Sequence, residues 1–227
     1  MSLSSYLRLY RKKKKSLSRG EIELHIIRFL CDRDLVSIDV GANKGNYTLE
    51  MSKHSKKVLC FEPNSGFNKY LRKMPSNCKI INSAVTTSTD LTYLHAPIIE
   101  GDPKHNMAFV SSDKDVKESL CISEVETVTL DEYLSEEIGM IKIDVEGAEM
   151  DVLNSCSKII EKYSPNFLVE SLSKKELGEQ INFFKLYGYT GLKIINEKIY
   201  FVKDQEIFEK CREVDRNTIF IPSNIPA

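Results

Sequence analysis

The sequence predicts an α/β domain built on a mostly parallel sheet, and three observations carry that prediction. Short β-rich apolar runs alternate with segments of helical period from about residue 35 to 187, the pattern of successive βαβ units. Two of those runs end on turn or acidic residues that open directly into a helix. The last three runs lack a full helix at every step, so the sheet is expected to finish with an antiparallel hairpin. No internal repeat or second boundary interrupts the 227 residues, so residues 21–227 read as one domain behind a basic arm at 1–20.

Each element has its own justification. Ile22, Leu24, Ile26, Ile27 and Leu30 recur at helical spacing, which predicts an amphipathic helix over 21–31. Leu35 to Val40 is a β-rich run that stops at Gly41, and 46–54 reads as a helix. Lys57 to Phe61 is the next strand, closed by Glu62-Pro63-Asn64, with Asn64 an N-cap for a helix over 65–74. Ile80 to Val85 reads as a third strand. Periodicity then weakens over 86–125, which suggests a β-rich insertion or a mobile loop. Val125 to Thr129 alternates as a strand, and Leu130 to Leu134 starts a short helix. Met140 to Val145 is a strongly apolar strand broken only by Lys142. A helix over 148–162, a strand at 166–170, a helix at 174–187, and strands near 190–196, 198–203 and 217–221 complete the chain.

Composition removes several classes. Apolar residues are 41%, charged residues 29% and aromatics 9%, which suits a folded globular chain and not a disordered or collagen-like one. No apolar run reaches the roughly 18 residues a membrane-spanning helix needs, and no secretory leader is expected, since no long apolar stretch follows the basic start. The net charge of −1 hides an asymmetry: residues 1–20 carry seven bases and no acid, leaving 33 acids against 25 bases in the rest. An acidic body is a poor surface for nucleic-acid phosphates, so no nucleic-acid partner is expected. The arm is either solvated or a contact for an anionic membrane surface. Six scattered cysteines (Cys31, Cys60, Cys78, Cys121, Cys156, Cys211) without a C-x-x-C read as reduced thiols of a cytoplasmic protein. The four histidines pair with none of them at zinc-ligand spacing.

Three motifs carry chemistry. The first runs from Ser37 to Thr48, where a strand enters a tight turn with Gly41 and Gly45 and then a helix. That geometry lets a ligand approach backbone N–H groups, with the Asp39 carboxylate at the strand's end. Its spacing is not the dinucleotide G-x-G-x-x-G. The second is Glu62, seventeen residues beyond Gly45 at the end of the next strand, where an acid accepts hydrogen bonds from ribose hydroxyls. The third is Ile141 to Met150, which gathers Asp144, Glu146 and Glu149 at the end of a central strand. Glu149 and Asp151 suit the first turn of a helix; Asp144 and Glu146 face the crevice where α/β sheets bind ligands.

The motifs VSIDVGANKGNYT (36–48), CFEPN (60–64), INSAV (81–85), VTLDEYL (128–134) and IKIDVEGAEMDVL (141–153) together resemble the FkbM-type S-adenosylmethionine-dependent methyltransferases. The resemblance covers roughly 33–171, with the IDVEGAE segment its most specific part. It implies a class I methyltransferase (Rossmann-like) fold: a seven-stranded, mostly parallel sheet with a terminal antiparallel strand and helices on both faces. It also implies that Asp39, Gly41, Ala42, Asn43 and Gly45 line the methionine and ribose side of the donor. Glu62 and Pro63 would hold the ribose, Ser83 and Ala84 would lie beside adenine, and Asp144 would face the methyl and the acceptor. Asn43 stands where many methyltransferase turns have a glycine.

The chemistry implied is that of an O-methyltransferase acting on a hydroxyl of a sugar or glycan, such as a surface polysaccharide or glycolipid. The donor is already activated, so alignment does much of the work, and an aliphatic hydroxyl needs its proton removed. Asp144 or Glu146 is the candidate base; His105, on the irregular segment, is a second candidate base or acceptor contact. Tyr47, assigned to the donor site, Lys104 and Asn106 are further acceptor contacts, and Glu170 is comparable to the other acids. A divalent metal held by the acids is the less favoured arrangement, with no ligand set assigned. Alternatives are methylation of a polyketide or other natural product, a non-catalytic binding module with the same fold, and, disfavoured by the glycine spacing, a nicotinamide-dependent oxidoreductase. Attachment of the arm to the inner membrane face goes with the glycolipid reading.

Overall fold

A computed structural model describes residues 22–87, 92–196, 198–211 and 215–223 of the chain. The basic arm at 1–20 lies outside the described residues. The main sheet holds β1 (Val36–Val40), β2 (Lys57–Phe61), β3 (Cys78–Ile81), β9 (Ile138–Ile143), β10 (Asn166–Glu170), β11 (Tyr189–Ile195), β12 (Lys198–Val202) and β13 (Asn217–Pro222). Their spatial order is β12-β11-β13-β10-β9-β1-β2-β3. Strands β10, β9, β1, β2 and β3 are parallel neighbours, with β1 at the centre pairing β2 and β9. Strand β13 is antiparallel to both β10 and β11, and β12 is antiparallel to β11. This is the expected fold with eight strands where the resemblance implied seven, the additional one being the edge strand β12 of the terminal hairpin.

Helices cover both faces. Ile27 and Leu30 of α1 (Ile27–Leu30) and Met51 of α2 (Asn46–Met51) pack with Val58, Met140 and Leu168 on one face. The other face buries Ile38, Ile141, Ile143, Phe167 and Val169 against later helices. Those are α4 (Glu149–Asn154), α5 (Ser157–Tyr163) and α6 (Lys174–Leu186), the helix α3 (Asn68–Leu71) lying earlier in the chain. Strands β1, β9 and β10 are therefore apolar along most of their length, as central parallel strands buried on both sides must be.

Several boundaries differ from the periodicity. The 21–31 segment is a 3₁₀ turn (Ile22–His25) followed by α1, and the 65–74 segment is a 3₁₀ turn (Ser65–Phe67) followed by α3. Asn64 does cap that turn, accepting from Gly66 N at 3.0 Å. The expected strand Ile80–Val85 splits at Asn82, whose amide donates to Glu62 O (3.2 Å) and to Asn68 Oδ1 (2.8 Å). Beyond it the chain leaves the main sheet and begins a second one.

The second sheet is built from the weakly periodic stretch. Its strands are β4 (Ser83–Val85), β5 (Thr92–Ile99), β6 (Asp102–Pro103), β7 (Phe109–Ser111) and β8 (Ser119–Val128). The order is β4-β8-β5-β6, with β7 also pairing β5. His95, fully buried, locks it: Nδ1 lies 3.0 Å from Ser119 Oγ, Nε2 3.0 Å from Asp113 O, and the ring stacks on Phe109 at 5.5 Å.

Candidate active site

One cavity opens where the carboxyl ends of β1, β2 and β9 meet the second sheet. Its floor is the turn after β1. Gly41 and Ala42 donate their backbone N–H groups to Phe61 O at 3.0 and 3.1 Å, folding the turn over the end of β2. Gly41 has φ +76°, and a Cβ there would stand 1.7 Å from the Asp144 carbonyl oxygen. Only glycine lets the turn pass this close to the end of β9. Asn43 also adopts positive φ (51°), which aims its N–H at Glu62 Oε2, 2.7 Å away.

Glu62 is the most constrained acid of the cavity wall. Its second oxygen accepts from Asn64 N at 2.8 Å, so both oxygens are oriented by backbone N–H groups while each keeps a further lone pair. Burial raises its pKa, against the lowering effect of the Asn64 and Asn43 bonds and of Lys142. Pro63, Phe67, Ala84 and Val85 supply apolar wall beside it, and Ser83 a hydroxyl.

The opposite wall is the segment after β9. Asp144 N donates to Val40 O at 3.1 Å, and its carboxylate Oδ2 sits 3.0 Å from Lys142 Nζ. Burial favours the neutral acid at Asp144, but the Lys142 charge and hydrogen bonds from Glu170 and Lys142 win and hold its pKa low. Glu170 responds in the other sense: burial and the adjacent Asp144 charge push it far above the usual carboxylate range, so it carries the proton of the pair. Glu146 has positive φ (57°), and burial, Asp144 and Glu149 together raise its pKa. Glu149 is buried and accepts from Val145 N (3.1 Å) and Gly147 N (3.1 Å), which fixes the loop carrying Glu146.

The sequence-predicted residues separate into two sets. Gly41, Asn43, Glu62, Pro63, Ser83 and Ala84 line the cavity on the turn side, and Asp144, Glu146, His105 and Asn106 line it on the rim. Asp39, Ala42, Gly45 and Tyr47 stand behind the wall. Asp39 is fully buried and accepts from Thr48 Oγ1, and Tyr47 lies with its ring 5.0 Å from Lys142 Nζ. Ala42 packs against Cys60 and Leu71. Gly45, at φ +78°, starts α2 under Met74. Lys104 lies 3.9 Å from Asp102, and Glu170 sits beneath Asp144. Leu94, Phe109 and Val110 are lining residues that no motif marked. Lys142, 2% exposed, was visible only as the break in an apolar strand.

Among the described residues no group of three or more His, Cys, Asp or Glu side chains is placed to hold a metal ion, and no helix is long and apolar enough to cross a membrane. No curated protein matches the chain in sequence. The structure is similar to the methyltransferase FkbM of Methylobacillus flagellatus, with a TM-score of 0.54 and 12% identity over 84% of this chain. This chain spans 44% of the length of that protein. A candidate rRNA methylase of Clostridium thermocellum superposes with a TM-score of 0.50 and 10% identity, covering 90% of this chain and 93% of the other. Residues 39–190 match the methyltransferase FkbM domain, a span that holds the glycine turn, Glu62 and the Asp144–Glu149 loop. The chain therefore belongs to the FkbM methyltransferase family and has the class I fold of S-adenosylmethionine-dependent methyltransferases.

Proposed function

We propose that the protein is an S-adenosylmethionine-dependent O-methyltransferase whose acceptor is a hydroxyl of a sugar or glycan. The observation that carries the donor assignment is the Glu62 carboxylate. It is buried in the cavity wall with each oxygen oriented by one backbone N–H, at 2.7 and 2.8 Å, and each able to accept once more. Two neighbouring hydroxyls of a ribose match that arrangement. The apolar surfaces of Pro63, Phe67 and Val85 beside it suit a purine. The residues present thus fit the donor. When bound, it supplies a methyl group on a sulfonium sulfur, a leaving group that needs no acid.

The protein's own contribution lies at the rim. Transfer forms an O–CH₃ bond, breaks the S–CH₃ bond and requires the hydroxyl proton to go to a base. Asp144 is ill suited to take it, because Lys142 and Glu170 hold it as a stabilised anion. Glu146, whose pKa burial and the neighbouring Asp144 and Glu149 raise, is the better acceptor. A polyhydroxylated acceptor is consistent with the carboxylates at the rim and with the acidic composition outside the arm, which disfavours nucleic acid. All six cysteines are free thiols, in keeping with a cytoplasmic reaction. Contact of residues 1–20 with an anionic inner membrane face would bring glycolipid acceptors within reach.

Calorimetric titration of S-adenosylmethionine into the wild-type protein and Glu62→Ala tests the donor site. Loss of two charge-assisted hydrogen bonds predicts about 100-fold weaker binding in the variant. Absence of binding to the wild type overturns the reading. Methyl transfer from labelled donor to a panel of sugars and glycans, set against polyketide-type alcohols, then decides the acceptor class.

A further inference from the structure

Strand β9 is buried on both faces, yet one residue before its carboxyl end it carries a lysine. A buried ammonium is retained only if it is paired and hydrogen-bonded, and the sheet supplies the pairing by register. Asp39 of β1 lies directly opposite Lys142 in the parallel ladder, with Asp39 Oδ1 3.5 Å from Nζ. Asp144 Oδ2 is at 3.0 Å and the Gly41 carbonyl oxygen at 3.4 Å. The ammonium therefore lies within 3.5 Å of three oxygens from three places, the end of β1, the glycine turn and the rim of the cavity, hydrogen-bonding the last two and pairing with Asp39 by charge. Lys142 itself does not line the cavity.

We propose that Lys142 is a positioning residue for methyl transfer, its ammonium tying the Asp144 carboxylate to Asp39 and the Gly41 turn so that rim and donor floor hold one relative geometry. The inference rests on the reading that Asp144 faces the reaction, and it adds the device that holds Asp144 there. Other charged groups also face the cluster. Asp39 accepts a hydrogen bond from Thr48, Glu170 donates to Asp144, and Glu146, Glu149 and Arg216 act from the loop after β9, from α4 and from the residue before β13. Asp144 and Glu170, in hydrogen-bond contact, are not both ionised at low cost. Lys142 decides that Asp144 is the anion and Glu170 the donor, which leaves Glu146 as the remaining unlocked carboxylate.

The test uses the full chain with Lys142→Arg, Lys142→Met, and Lys142→Met combined with Asp39→Asn, read against Asp39→Asn alone. The double variant removes one buried charge of each sign and covers the case in which Lys142→Met fails to fold. Carboxyl ¹³C NMR titration and steady-state kinetics are the two readouts. Without the ammonium, the Asp144 midpoint is expected to move up by about one pH unit or more. Turnover at neutral pH should fall on the order of 100-fold while the donor KM changes by less than about threefold, as displaced geometry predicts. Lys142→Arg should keep the wild-type midpoint and restore part of the turnover. An unmoved Asp144 midpoint, or a loss confined to KM, overturns the proposal. If the wild type neither binds donor nor transfers methyl, the functional reading fails and the positioning role in transfer with it, while the NMR titration still decides whether Lys142 sets the charge of Asp144.

Discussion

At the scale of single residues, the most informative position is Glu146. A non-glycine residue with φ of 57° is strained, and such strain persists where the surroundings over-determine it and the side chain has a task. Here the surroundings are the two N–H groups that Glu149 captures on either side. A base must be ionised to act, and burial with Asp144 and Glu149 nearby raises the Glu146 pKa. The rate should therefore fall as pH drops through that raised value and level off above it. Glu146→Gln is expected to lower kcat by about 10²–10⁴-fold and to abolish this acid limb, with donor affinity kept. A pH–rate profile of both proteins checks it, and an unchanged limb in the variant excludes Glu146 as the base. The acids were legible from their place at a strand end before a glycine. The division of labour among them was not, because it depends on Lys142 and Glu170, which meet Asp144 only in the folded sheet.

At the scale of elements, the strands buried on both faces were legible as mainly apolar runs, β2 and β10 at their observed bounds, whereas β9 starts and ends two residues earlier than the run Met140 to Val145 suggests. Helix ends were not legible, because their caps come from distant sequence. The stretch 148–162 has unbroken helical period, yet it divides into α4 and α5. Ser155 Oγ turns back to Val152 O (2.7 Å), and the Asp131 carboxylate accepts from Lys158 N (3.3 Å) and Ile159 N (3.1 Å) at the start of α5. Asp131 is thus a remote cap, delivered by the 3₁₀ turn Leu130–Tyr133. Asp131→Ala should cost about 1–2 kcal/mol, seen in thermal unfolding as a Tm lower by roughly 2–8 °C. A loss under about 0.5 kcal/mol would return the helix break to Ser155 alone. Strand β8 was half legible for a related reason. It is partly exposed along its ten residues, so no burial pattern forces alternation, and its partner β5 sets its length.

At the scale of the whole molecule, the site exists because two sheets meet. The main sheet alone offers the donor floor, Glu62 and the acidic rim. The second sheet closes the cavity with Leu94, Phe109 and Val110 and with the turn bearing His105 and Asn106. That residues 86–125 could be a β-rich insertion was legible in the sequence, but not which strands pair in it, because the burial of β7 and β8 does not alternate and leaves no period to read. Phe109 is the aromatic ring that this sheet gives to the cavity wall, and the fully buried His95, itself held by Ser119 and the Asp113 carbonyl, stacks on it. An aromatic face backed in this way suits the apolar face of a sugar ring. Phe109→Ala is accordingly expected to raise the acceptor KM about tenfold, the scale of one buried aromatic contact. The donor dissociation constant should stay within about threefold, because Glu62 and the glycine turn are untouched. Parallel calorimetry with the donor and kinetics with the acceptor separate the two effects. Loss of donor affinity instead would assign the Phe109 wall to the adenosyl group and place the acceptor between Asp144, Glu146 and His105.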